Sequence, residues 1–134
     1  MSSFHALDIA ATGADLGRIW LDAVAHNIAN VNTVRPYDQE PFRAKLVHAA
    51  AVDRPGGAGD GVRVVEILEA HGPAPQVYDP THPFASPDGI VTRGVVDIVG
   101  QMADMIGAQR HYQANLSVIR SSREAYESAL QIGR

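Results

Sequence analysis

The residue types that most often carry chemistry are present but scattered. Six histidines, His5, His26, His48, His71, His82 and His111, lie along the chain, and no two stand four apart as a helical metal pair requires. Asp79, His82 and Asp88 share one short stretch and offer the donors of a metal site or an acid–base group. Their neighbours, in Asp79-Pro80, His82-Pro83 and Pro87-Asp88-Gly89, are residues that turns select for conformational reasons, and a turn is the reading adopted. Gly56-Gly57-Ala58-Gly59-Asp60-Gly61 has the glycines of a phosphate loop without the Lys-Ser/Thr that completes one. No Gly-x-Ser-x-Gly elbow occurs, and the triplet Asn115-Leu116-Ser117 falls within a helical pattern. With no cysteine, disulfides and zinc–thiolate sites are excluded. No catalytic residue, cofactor, metal or small-molecule substrate is expected.

Composition narrows the class further. A formal charge of −4 argues against a nucleic-acid binder, which carries a basic footprint. Hydrophobic residues make up 46 % but aromatic residues only 6 %, so alanine and valine supply much of the apolar surface. Small side chains bury little area each, at about 25 cal/mol per Å², and a chain of 134 residues built this way is expected to need partners for full order. No apolar run approaches the ~20 residues of a membrane span. The start, Met-Ser-Ser-Phe-His-Ala-Leu-Asp, lacks the basic and apolar stretches of a secretory signal, so any export is expected to use a route that reads none.

The elements that would position these residues separate by periodicity. Residues 1–33 read as an N-terminal helix, 34–94 as a small β-rich segment holding all eight prolines, and 95–134 as a long C-terminal helix. The expected fold is α+β, mainly α, with the two terminal helices pairing as a coiled coil. In the first helix Leu7, Ala11, Ala14, Arg18, Leu21, Ala25 and Ile28 follow steps of four and three. In the second, Ile98, Met102, Met105, Gln109, Tyr112, Leu116, Ile119, Arg123, Tyr126 and Leu130 do the same, the pattern of helix packed along helix. Asp97 as N-cap would start a helix reaching about Gln131, on the order of 50 Å long. Between the helices, alternation over Phe42–His48 and the β-branched run Val62–Leu68 predict a hairpin or a three-stranded sheet, with the glycine run as its turn.

The helices carry features that a self-sufficient coiled coil avoids. Arg18, Gln109 and Arg123 fall on the seam, where polar residues weaken packing and restrict register. Gly13 and Gly17 each cost about 1 kcal/mol of helix propensity. They are either tolerated weak spots or, with Ala10, Ala11 and Ala14, a surface that lets backbones approach closely. Asp8, Asp15 and Asp22 recur every seven residues beside the seam; they either face arginines such as Arg110, Arg120 and Arg123 or are simply solvated.

Asn27-Ile28-Ala29-Asn30-Val31-Asn32-Thr33, closing a heptad helix at the N-terminus, resembles the signature of flagellar basal-body rod and hook proteins. Phe42-Arg43-Ala44-Lys45, Val77-Tyr78-Asp79-Pro80-Thr81-His82-Pro83-Phe84-Ala85 with Asp88-Gly89, Val96-Asp97-Ile98-Val99-Gly100-Gln101-Met102, and Arg110-x-Tyr112-x-Ala114-Asn115 extend the likeness over the whole chain. It is nearest to the short proximal-rod members of that family. Gly94-Val95 and Gln101 depart from the usual residues at the start of the second helix, and Glu124-Ala125-Tyr126-Glu127 has fewer methionines than usual.

The resemblance implies a non-enzymatic axial subunit whose terminal helices pack in a helical array and whose middle segment lies outside it. Implied partners are copies of itself, other proximal and distal rod proteins, the membrane-ring adaptor and the flagellar type III export apparatus. The implied location is the rod that spans the periplasm and passes torque from motor to hook, reached without a cleaved signal peptide. Another rod or hook-family axial protein, or a generic coiled-coil adaptor, is the alternative. The expected assembly residues are Leu7, Ala11, Ala14, Leu21, Ala25, Asn27, Ile28, Asn30, Met102, Met105, Tyr112, Asn115, Leu116, Ile119, Tyr126 and Leu130. Asparagine suits helix ends, where it tolerates left-handed geometry; Asn27 and Asn30 are therefore either plain caps or donors of amides to neighbouring subunits.

Overall fold

The computed structural model describes residues 3–53 and 59–133. The first half of the expected glycine turn, residues 56–58, thus lies outside the described residues. In chain order the elements are α1 (Ser3–Ala29), β1 (Lys45–Asp53), β2 (Gly59–Glu69), β3 (Gln76–Tyr78), β4 (Ile90–Thr92) and α2 (Ile98–Ile132). The helices of 27 and 35 residues make up a little under half of the chain. The fold is therefore mixed α+β, with less helix than "mainly α" describes.

The start of α2 and the end of α1 each have a local cause. The Asp97 carboxylate accepts the Val99 N–H at 3.1 Å, so the expected N-cap opens α2 by satisfying one of its orphan donors. At the end of α1 the Asn30 amide donates to the His26 carbonyl at 2.8 Å, and its oxygen accepts from the Thr33 hydroxyl at 3.0 Å. No described residue other than glycine has positive φ, so Asn30 closes the helix without the left-handed geometry that asparagine tolerates. Side-chain bonds do that work instead.

The middle segment forms two separate two-stranded sheets rather than one three-stranded sheet. β1 and β2 pair antiparallel, with Leu46 opposite Leu68 and Val47 opposite Ile67. A register shift after His48 leaves Val65 without an opposite number. The expected first strand begins three residues late, because Phe42 and Ala44 are engaged elsewhere. The Val95 N–H donates to the Phe42 carbonyl at 2.7 Å, and the Ala44 N–H donates to the Val95 carbonyl at 3.2 Å. These bonds tie the approach to α2 to the approach to β1. β3 and β4 form a short antiparallel pair beyond them.

The core is thin, as the composition demands. Among the described residues its buried apolar side chains are Ala10, Ala14, Ala23, Val24, Phe42, Ala44, Val91 and Ala108, five of them alanines. The accessible surface is 9123 Å², whereas a compact monomer of 14.3 kDa exposes about 6,800 Å². The surplus of about a third belongs to a chain that leaves much of its surface uncovered.

Candidate assembly surface

α1 lies between α2 on one side and the β1–β2 hairpin on another. The helices run antiparallel. Asn27 bonds Gln101, Trp20 packs over Gly107, Gly17 meets Tyr112, and Gly13 meets Asn115. A Cβ on Gly17 would lie 3.1 Å from the Tyr112 Cα, and one on Gly13 would lie 2.5 Å from the Asn115 Oδ1. The glycines therefore serve close approach, as the small-residue set suggested. The His111 Nε2 lies 3.1 Å from the Gly13 carbonyl, and the Asn115 amide donates to the His111 carbonyl at 2.9 Å.

The face that α1 turns to α2 is thus Ala10, Gly13, Gly17, Trp20, Val24 and Asn27, one residue behind the apolar heptad. One residue is about 100° of helix, so the heptad seam points to the open side. Of its members Ala14 is buried; Leu7, Leu21 and Ile28 are half-buried; Ala11 and Ala25 are exposed. α2 behaves alike through its first half, where Gln101 and Ala108 are buried while Ile98, Met102 and Ile106 are exposed. Met105, Tyr112, Asn115 and Ile119 are half-buried beside α1, and Leu116 is exposed. A strict seven-residue repeat drifts around a straight helix by ~20° per heptad, which returns the seam toward the partner face near its end. There Tyr126 and Leu130 are exposed for another reason. The antiparallel pairing carries the last turns of α2 past the start of α1 at Ser3, and every residue from Arg123 to Gly133 is exposed.

Asn27 is the largest fully buried side chain, and its amide is committed within the chain: to Lys45 at 2.7 and 2.8 Å and to Gln101 at 2.7 Å. Asn30 is half-buried with its amide turned to its own helix. Asp8, Asp15 and Asp22 lie exposed on the back of α1, and among the described residues they pair with no arginine of α2. Gln101, Thr12 and His111 hold the packing together and were not singled out as contacts from the sequence. Their partners lie 74, 50 and 98 residues away, and no local pattern marks them.

The Asp79–Asp88 stretch is a turn. The Thr81 hydroxyl donates to Asp79 at 2.8 Å and holds the Asp79 carboxyl below its ordinary range against desolvation, with lesser contributions from the Thr81 N–H, His82 and the His82 N–H. The Phe84 N–H donates to the His82 ring at 3.1 Å, and Gly89, at φ +74°, lets the chain turn beneath Tyr78 and Pro80. Among the described residues, no three histidines, aspartates or glutamates gather as a metal site. The described helices include none long and apolar enough to cross a membrane.

Comparison with known proteins gives this surface its context. A family model described as flagellar basal body rod FlgEFG protein, C-terminal, matches residues 95–132, the Asp97 cap and all of α2. The flagellar basal-body rod protein FlgC of Borreliella burgdorferi is 38 % identical over 149 aligned residues, which cover 98 % of each chain. The chain belongs to the FlgC family of flagellar basal-body rod proteins. FlgC of Escherichia coli O6:H1 is 34 % identical and FlgC of Bacillus subtilis 31 % identical, each alignment covering both chains completely. The family likeness spans the helices and the strands between them alike.

Proposed function

We propose that the chain is a non-enzymatic subunit of the proximal rod that assembles through the apolar seam its own helix pair leaves open. One observation carries the reading: in a chain similar to FlgC proteins from end to end, Met102, Leu116 and their neighbours are exposed although they hold heptad spacing. A heptad stripe of this kind is the surface of helix-on-helix packing, and the small-residue face has already been used to join α1 to α2. Copies of the chain and other proximal and distal rod proteins cover the stripe, and the terminal helices, residues 1–33 and 95–134, form the axial core as a coiled coil. Residues 34–94 face outward toward neighbouring subunits and the membrane-ring adaptor.

In this reading Leu7, Ala11, Leu21, Ala25, Ile28, Met102, Met105, Leu116 and Ile119 line the contact, while Tyr126 and Leu130 extend it beyond α1. Ala14, Tyr112 and Asn115 shape the helix pair that presents it, and Asn27 and Asn30 act within the chain. Asp15 and Asp22 meet basic residues of a neighbour. The chain leaves the cytoplasm through the flagellar type III apparatus, stands in the periplasmic rod and passes torque from motor to hook. Removing it from its own bacterium tests the reading. Basal bodies purified from such cells lack a complete rod and the cells do not swim, and supplying the chain restores both. Complete rods and normal swimming in its absence overturn the proposal.

A further inference from the structure

The Asn27 carboxamide touches three elements at once. Its Oδ1 accepts the Lys45 N–H at 2.7 Å, and its Nδ2 donates to the Lys45 carbonyl at 2.8 Å and to the Gln101 Oε1 at 2.7 Å. Lys45 is the first residue of β1 and pairs on its other side with Glu69. The side-chain amide therefore stands where the peptide of a further strand would stand, closing the free edge of β1 with a two-point bond. Its third bond reaches the first turn of α2. The side chain is wholly buried, and both Nδ2 hydrogens are used, so an unpaired group here would be expensive.

The same hairpin also meets α1 at its far end. The Val62 N–H donates to the Thr12 hydroxyl at 3.1 Å, and His5 lies 3.5 Å from Asp60. From Thr12 to Asn27 the helix climbs ~22 Å at 1.5 Å per residue. From Lys45 to Ala51, the residue opposite Val62, the strand runs ~20 Å at 3.4 Å per residue. The hairpin is thus laid along α1 and touches it at both ends: at the base the wholly buried Asn27 side chain makes two bonds to Lys45, and at the tip the Thr12 hydroxyl and the His5–Asp60 pair are among the described contacts.

We propose that Asn27 is a rigid joint that sets the angle of the β1–β2 hairpin on the helix pair, so that outer and inner parts of the chain turn as one body. The proposal deepens the reading of the chain as a torque-carrying rod subunit. Its test uses the isolated full chain, so it fails or stands whether or not the chain enters a rod. Aspartate is the informative substitution. It keeps the acceptor for the Lys45 N–H but replaces both donors with an oxygen facing the Lys45 carbonyl.

The chain contains no cysteine, so pairs of introduced cysteines give clean spin-label distances. Glu66→Cys with Arg18→Cys reports the hairpin against α1, and Arg18→Cys with Gln109→Cys reports α1 against α2; all three positions are exposed. Asn27→Asp broadens the first distance distribution at least twofold and leaves the second at its parent width. Gly17→Val, which disturbs the helix contact without touching the joint, does the reverse and separates the joint from loss of stability in general. If Asn27→Asp does not fold, Asn27→Ser removes the same donors without adding charge and is judged by the same widths. An unchanged hairpin distance in the folded variant, or equal broadening of both distances, overturns the proposal.

Discussion

Gly17 and Tyr112 fix how closely the two long helices approach. A Cβ at residue 17 would come 3.1 Å from both the Cα and the Cβ of Tyr112, so the contact is backbone against backbone. Gly13, one turn earlier, faces the movable end of the Asn115 side chain instead. The two glycines look equivalent in the sequence, yet only one meets an immovable neighbour.

Gly17→Val is therefore expected to lower unfolding stability by about 2 kcal/mol through overpacking. Gly13→Ala forces the Asn115 amide aside but regains about 1 kcal/mol of helix propensity, and its net change stays within about 1 kcal/mol. Denaturant unfolding of the two variants checks the order. Equal losses would mean that the helices do not meet as described.

The tip of the β1–β2 hairpin rests on Thr12. Thr12→Val removes the acceptor of the Val62 N–H and should cost about 1 kcal/mol, the usual net worth of a neutral hydrogen bond. Gly61→Ala should cost more, because Gly61 has φ +114° and its open side lies against Thr12; a residue held in that region costs of order 1–3 kcal/mol. Unfolding midpoints decide both, with the Gly61 variant the less stable.

Asp79 gives the β3–β4 loop an acid dependence. Its carboxyl titrates below the ordinary 3.8, mainly because the Thr81 hydroxyl bonds the charged form. A depressed carboxylate adds stability that is present above the unfolded value and is lost as pH falls through the folded one. The loop should stay ordered down to pH 3.8 and loosen below it, as read from the Thr81 amide resonance. Asp79→Asn should abolish that acid step.

Every residue from Arg123 to Gly133 is exposed at the end of α2. Trypsin should cut first after Arg120 or Arg123, where the helix runs toward and past the start of α1, and later at Arg18, which is exposed but lies in a helix packed on two sides. Mass spectrometry of the early fragments checks the order. Once the chain is packed in an assembly, cleavage after Arg123 should slow at least tenfold.

Much of this architecture was legible because its causes are local. Proline-free, periodic stretches marked both helices, although α1 ends at Ala29, short of residue 33; Asp97 declared the start of α2, and β-branched residues marked β2. The direction of the seam was not legible. Heptad spacing tells which residues share a face, and it was natural to turn the apolar face toward the other helix of the same chain. The structure instead joins the helices through glycine, alanine and amide groups, because the closest approach is available only there. Asn27 illustrates the remaining gap. Its place near a helix end was plain, but Lys45 and Gln101 lie 18 and 74 residues away, and nothing local connects them. The expected hairpin is present as β1–β2, but its first strand starts late because Phe42 and Ala44 bond Val95 rather than extend β1.

The most direct measurement is incorporation of a Met102→Gln, Leu116→Gln variant into purified basal bodies. Both residues are exposed in the single chain, and glutamine keeps their helix propensity, so unfolding stability should change by less than about 0.5 kcal/mol. Each contact in an assembly would lose on the order of 1.5–3 kcal/mol of apolar burial, repeated at every copy. The account predicts a stably folded chain that is absent from the rod. A variant that folds as before and enters the rod at the normal level would contradict it.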